Sequence, residues 1–176
     1  IGVVATGTTY NVTGTDANSC ANTASISVTV NALPTVVANA TQTEICTGES
    51  ITLTGSGATS YIWDNSVTEG VGVVAAGTIY NVTGTDANSC TNKASISITV
   101  NNLPTVVANS TNTEVCSGES ITLTGSGAIS YVWDNSVTDG VGVVATGTTY
   151  NVTGTDANSC TNTTSISITV NNLPNV

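Results

Sequence analysis

The sequence has no histidine, arginine, methionine or phenylalanine, and its single positive side chain is Lys93. Eleven acidic residues leave a net charge of −10. General acid–base catalysis draws mostly on histidine, so the chain reads as non-enzymatic. Phosphate and nucleic-acid binding need arginine and lysine to neutralise backbone charge, so nucleic acid is not an expected partner. Anionic membrane surfaces are poor partners for the same reason. No apolar run reaches the roughly 18 residues that a membrane-spanning helix needs. Zinc would call for close cysteine pairs or histidines, and neither occurs. No cofactor or metal is expected.

What remains is abundant Thr, Ser, Asn and Gly, with Val and Ile at alternating positions. A disordered chain has low hydrophobicity, whereas alternation of this kind reads as β-structure with an uncharged polar surface.

The phrase YNVTGTDANSC occurs three times, at Tyr10, Tyr80 and Tyr150, and ends at Cys20, Cys90 and Cys160. Everything around it recurs with the same 70-residue period. Residues 35–104 and 105–174 align without a gap and differ at eleven positions, among them Ile45/Val115, Ile62/Val132 and Glu69/Asp139. Residues 1–34 match 71–104. The expected organisation is the C-terminal half of a repeat at 1–34 and complete repeats at 35–104 and 105–174, within a longer array.

Strands are expected at 34–41, 49–57, 60–65, 70–77, 78–86 and 91–100, with no helix of any length. Ile51 and Leu53 alternate with Thr52 and Thr54, and Tyr80, Val82 and Gly84 share a face. Asp86–Ser89 is a turn, because Asp and Asn bond their own backbone. NNLP at 101–104 is a linker stiffened by its proline. Six or seven short strands per 70 residues predict an all-β fold of tandem immunoglobulin-like β-sandwich repeats. A core this small is marginal, so a covalent staple is expected. Five cysteines at regular spacing point to disulfides and an oxidising, extracellular setting.

Three stretches together, CTGESITLTGSG, SYIWDNSVTEGVGVVA and YNVTGTDANSCTN followed by SISITV, carry a family likeness. They resemble the cysteine-containing immunoglobulin-like or PKD-like tandem repeats of giant Bacteroidota surface adhesins, the SprB-type gliding adhesins and other type IX secretion cargo. The resemblance spans residues 1–176 and implies a secreted, cell-surface stalk or filament with an adhesive role. The aspartate-rich GDG of many PKD domains is absent, and WDNS stands in its place.

The remaining candidate residues each have a plainer explanation. Asp16, Asp86 and Asp156 could feed a calcium site, but calcium takes six to eight oxygens and the turn explains them. Trp63 and Trp133 could stack on sugars, but an inward Trp on the third strand is a core feature of this fold. Tyr80 and Tyr150 are likewise assigned to the core. Asn11, Asn39, Asn81, Asn109, Asn151 and Asn162 head Asn-x-Ser/Thr triplets, which are common in so Thr-rich a chain. Isopeptide staples need a lysine in each domain and ester staples a glutamine. Lys93 and Gln42 are single instances, so the cysteines are the staple.

Two pairings are open. Within a repeat, Cys46 would bond Cys90 and Cys116 would bond Cys160. Between repeats, Cys46 would bond Cys160, leaving Cys20 and Cys90 to partners upstream and Cys116 to one downstream. In a head-to-tail array the first and last strands of a unit both run from its upstream to its downstream end. Cys46 follows the first strand and Cys90 precedes the last. A strand of about eight residues separates them by roughly 25–30 Å, whereas a disulfide holds Cα atoms within about 7 Å. The pairing between repeats is therefore favoured.

The function expected is a disulfide-stapled spacer in an extracellular fibre or adhesin. Its partners would be neighbouring repeats of the same chain, with lateral self-association where uncharged sheet edges meet. The rival is a repeat module that itself binds glycan or matrix ligands through avidity.

Overall fold

The computed structural model describes residues 6–77 and 79–175, which contain strands and turns and no helix. The first strands are β1 (Thr9–Thr15) and β2 (Ala21–Ser27). Then come β3 (Val37–Ala40), β4 (Glu44–Cys46), β5 (Ser50–Ser56) and β6 (Ser60–Trp63). Around the second copy of the repeated phrase lie β7 (Gly72–Val74), β8 (Ile79–Thr85), β9 (Thr91–Ser97) and β10 (Thr99–Asn101). The same series recurs as β11 (Val107–Ser110), β12 (Glu114–Cys116), β13 (Ser120–Ser126) and β14 (Ser130–Trp133). It ends with β15 (Gly142–Val144), β16 (Thr149–Thr155), β17 (Thr161–Ser167) and β18 (Thr169–Asn171).

The chain forms two compact units. One holds Ile1–Asn39, Leu53–Val71 and Tyr80–Ile96; the other holds Ala40–Thr52, Gly72–Ile79 and Ser97–Val176.

In the second unit, residues 106–171 show the whole architecture. One sheet has the order β11-β13-β15 and the other β14-β16-β17, all antiparallel. Alternation decides what each presents inward. Ile121 and Leu123 of β13 are buried, and so are Tyr150 and Val152 of β16. Trp133, Val106, Val115, Val137, Ala145 and Ile168 complete that core. Two sheets packed over an alternating core, with strand order of this kind, make an immunoglobulin-like β-sandwich.

The first strand departs from the sequence expectation. It breaks after four residues, and its continuation β12 leaves the first sheet to run parallel to β18. The corresponding β4 runs parallel to β10, with Glu44 opposite Thr99 and Cys46 opposite Asn101. The strand expected at 70–77 is likewise only Gly72–Val74. Edge strands β14 and β15 are four and three residues long and give a neighbouring chain little ladder to join, whereas β17, the other edge of its sheet, runs seven residues.

The first unit contains the β1–β2 hairpin, paired from Thr9↔Ser27 to Thr15↔Ala21. It also contains β6 paired with β8, from Ser60↔Thr85 to Trp63↔Val82. Gly84 on β8 lacks a side chain for a reason: a Cβ there would lie 2.6 Å from Val36 Cγ2 and 2.9 Å from Ala58 Cβ. Tyr61 closes the β5–β6 turn, its hydroxyl accepting from Ala58 N at 2.7 Å and donating to Ala58 O at 2.6 Å.

Candidate functional site: the cysteine joint

The Sγ atoms of Cys46 and Cys160 are bonded, with Cα atoms 5.6 Å apart across 114 residues of sequence. One cysteine lies in the 35–104 repeat and the other in the 105–174 repeat, and both belong to the second compact unit. Cys20, Cys90 and Cys116 have no disulfide partner among the described residues.

Each half of the bond is positioned locally. Cys46 ends β4, which is clamped to β10 by Thr99 N to Thr43 O and Thr47 N to Asn101 O, both 2.8 Å. Thr47 Oγ1 also donates to Asn101 O at 3.0 Å, and Asn101 Nδ2 donates to Glu44 Oε1 at 2.9 Å. Beyond the strand the chain turns back, and Glu49 Oε2 accepts from Cys46 N at 2.9 Å.

Cys160 leaves the turn of the repeated phrase. Asp156 Oδ1 accepts from Asn158 N and from Cys160 N, both at 2.9 Å. Ser159 takes φ 65° to close the turn. Asp16 and Asp86 make the same pairs of bonds, with Ser19 and Ser89 at the same angle. The three aspartates, assigned from sequence to turns over calcium ligation, thus spend Oδ1 on their own turn. Two residues past the cysteine, Asn162 Nδ2 donates to Pro104 O at 3.0 Å and ties down the linker. Asn92 and Pro34 make the same contact at 2.9 Å in the first unit.

Cys160 is fully buried and Cys46 half-buried. Beside the bond, Gln42, Glu44, Glu49, Asn101, Asn158 and Ser159 line a polar cleft of about 200 Å³. Its groups are carboxylates, amides and a hydroxyl, with Asn101 already bonded to Glu44.

Other residues singled out from sequence are placed as follows. Trp63, Trp133, Tyr80 and Tyr150 are buried. Asn39 Nδ2 bonds Thr54 O at 3.2 Å and Asn109 Nδ2 bonds Thr124 O at 3.2 Å. Asn81 and Asn151 are held by Asp64 and Asp134, and Asn11 is exposed.

The electrostatics were not legible in advance. Among the described residues every one of the eleven carboxylates accepts a hydrogen bond from a neutral N–H donor. Asp16, Asp86 and Asp156 take backbone N–H groups in their turns. Glu49 and Glu119 take Cys46 N and Cys116 N, while Glu44 and Glu114 take Asn101 and Asn171. Asp64 and Asp134 take Asn81 and Asn151, and Glu69 and Asp139 take Trp63 and Trp133. Bonds to Asn81, first from its side chain and then from its backbone N–H, hold the Asp64 carboxyl below its ordinary value of 3.8.

No family model and no curated protein matches the sequence. Among solved structures, murine CEACAM1b is similar at 14% identity and TM-score 0.34, over 77% of this chain and 100% of that one. The EC1-4 structure of PcdhgB3 is similar at 11% identity and TM-score 0.24, over 98% of this chain and 66% of that one. At such scores the fold class rests on the strand topology itself, which is that of an all-β, immunoglobulin-like sandwich.

Proposed function

We propose that this chain is a spacer segment of an extracellular bacterial surface adhesin or fibre, with successive repeats stapled to one another by disulfides. The observation that supports this most is the bond from Cys46 to Cys160, which joins cysteines of successive repeats. A covalent tie of that kind passes tension from repeat to repeat. It also belongs to oxidising surroundings, outside the cytosol. The likeness of the repeats to those of Bacteroidota gliding adhesins and type IX secretion cargo supplies the class: secreted, surface-attached and without catalytic role. The partners in this reading are the neighbouring repeats. Side-by-side pairing would have to use β17, a seven-residue edge strand, since the edges β11, β14 and β15 are three or four residues long.

Stretching single molecules held at the two termini tests the proposal. In the oxidised protein the 114-residue span between Cys46 and Cys160 should stay out of the extension released on unfolding. Reductant should restore it. Equal extensions with and without reductant would overturn the staple. Binding to a glycan array that strengthens with repeat number would favour the rival, a ligand-binding module.

A further inference from the structure

The hairpin β1–β2 carries the same sequence phrase as β8–β9 and β16–β17 but is differently covered. Val12 is 66% exposed, while its equivalents Val82 and Val152 are both 0% exposed. Ile26 and Val30 are exposed, whereas Ile96, Ile166, Val100 and Val170 are half-buried. The open edge of β1 repeats the pattern. Among the described residues β1 pairs with β2 alone, while β16 has β17 on one side and β14 on the other.

The corresponding glycines differ in the same way. A Cβ on Gly154 would lie 2.6 Å from Val106 Cγ2 and 2.9 Å from Ala128 Cβ, and Gly84 is crowded identically by Val36 and Ala58. A Cβ on Gly14 would meet nothing within 4 Å. Gly14 therefore keeps clear a space that a valine and an alanine fill in the other copies. Asn11 repeats the theme: its equivalents Asn81 and Asn151 each give a backbone and a side-chain N–H to an aspartate, at 3.0 and 2.7 Å.

We infer that the exposed face and open edge of the β1–β2 hairpin are a docking site for one occupant, a first-half repeat segment of the kind seen at 35–70. What identifies the occupant is its sequence, since residues 36, 58 and 60–64 of that segment make the equivalent contacts to β8. The known pairing of β6 with β8 fixes the register. The occupant's SYIW strand lies along β1 with its Ser opposite Thr15, Tyr opposite Gly14, Ile opposite Thr13 and Trp opposite Val12. Its Val and Ala, the counterparts of Val36 and Ala58, close over Gly14. Its Asp, the counterpart of Asp64, takes the backbone and side-chain N–H groups of Asn11. This holds whether the repeats serve as spacers or as ligand-binding modules, because it follows from burial and pairing alone.

The test joins a copy of residues 35–70 ahead of Ile1 and compares this extended protein with the 176-residue chain. Amide exchange along Thr9–Thr15 should slow at least tenfold in the extended protein. Gly14→Val discriminates docking from general stiffening. In the 176-residue chain a Cβ at this position meets nothing within 4 Å and a β-branched residue suits a strand, so circular dichroism should not change. In the extended protein it should abolish the new protection. Unchanged exchange on extension, or protection that survives Gly14→Val, overturns the inference. So does a dimer of the 176-residue chain in sedimentation that Val12→Asp dissociates, since the face would then be made for a second copy.

Discussion

Trp63 donates its indole N–H to Glu69 Oε2 at 2.6 Å, and the other oxygen of Glu69 accepts from Gly55 N at 2.8 Å. The same latch recurs as Trp133 on Asp139 Oδ1, which also takes Gly125 N. One carboxylate thus satisfies a buried indole and a strand N–H together. It also fixes the loop between β6 and β7 over the tryptophan.

Glu69→Ala leaves the Trp63 N–H without that acceptor at a buried site. An unsatisfied buried donor costs about 1–3 kcal/mol. Urea unfolding followed by tryptophan fluorescence should show a loss in that range, with Glu69→Gln milder because its amide oxygen still accepts. A Glu69→Ala midpoint equal to wild type would show that the latch contributes nothing.

Acid should act late. The Asp64 carboxyl is held below its ordinary 3.8 by Asn81. Its contribution to stability is therefore complete above that value and disappears as pH falls through the lower, folded-state pKa. Melting temperature should be nearly flat between about pH 8 and pH 5, then fall below about pH 4, where ordinary carboxylates protonate. Asp64→Asn should lower the plateau and reduce the fall. A steep loss already at pH 6 would contradict this assignment.

Leu123 is fully buried in the core between the sheets of the 105–174 repeat. Truncating such a side chain to alanine costs about 2–5 kcal/mol. Leu173, in the exposed NNLP segment, is the control, since surface substitutions usually stay within about 0.5 kcal/mol. Equal effects at Leu123 and Leu173 in denaturant titration would refute the placement of this core.

Alternation made the longer strands readable. Ile51 with Leu53 and Tyr80 with Val82 mark inward faces that the structure buries. The repeated Asp-Ala-Asn-Ser turn was readable because its bonds are local. The break in the first strand was not. A three-residue strand such as Glu44–Cys46 is too short to show a period, and its partner Thr99–Asn101 lies more than fifty residues away. The strand expected over 70–77 shrank to Gly72–Val74, because a Val-rich run with glycines carries no signal for where pairing stops. Carboxylate partners were hidden for a different reason. Sequence shows that cations are missing, but it does not show that Asn81 reaches Asp64 across seventeen residues or that Trp63 faces Glu69.

The account rests on which cysteines are bonded. Digest the oxidised protein with thiols blocked, and identify disulfide-linked peptides by mass before and after reduction. A peptide carrying Cys46 joined to one carrying Cys160, with Cys90 and Cys116 blocked as free thiols, is the result expected. Cys116 joined to Cys160, or Cys46 joined to Cys90, would contradict it and leave each repeat closed on itself.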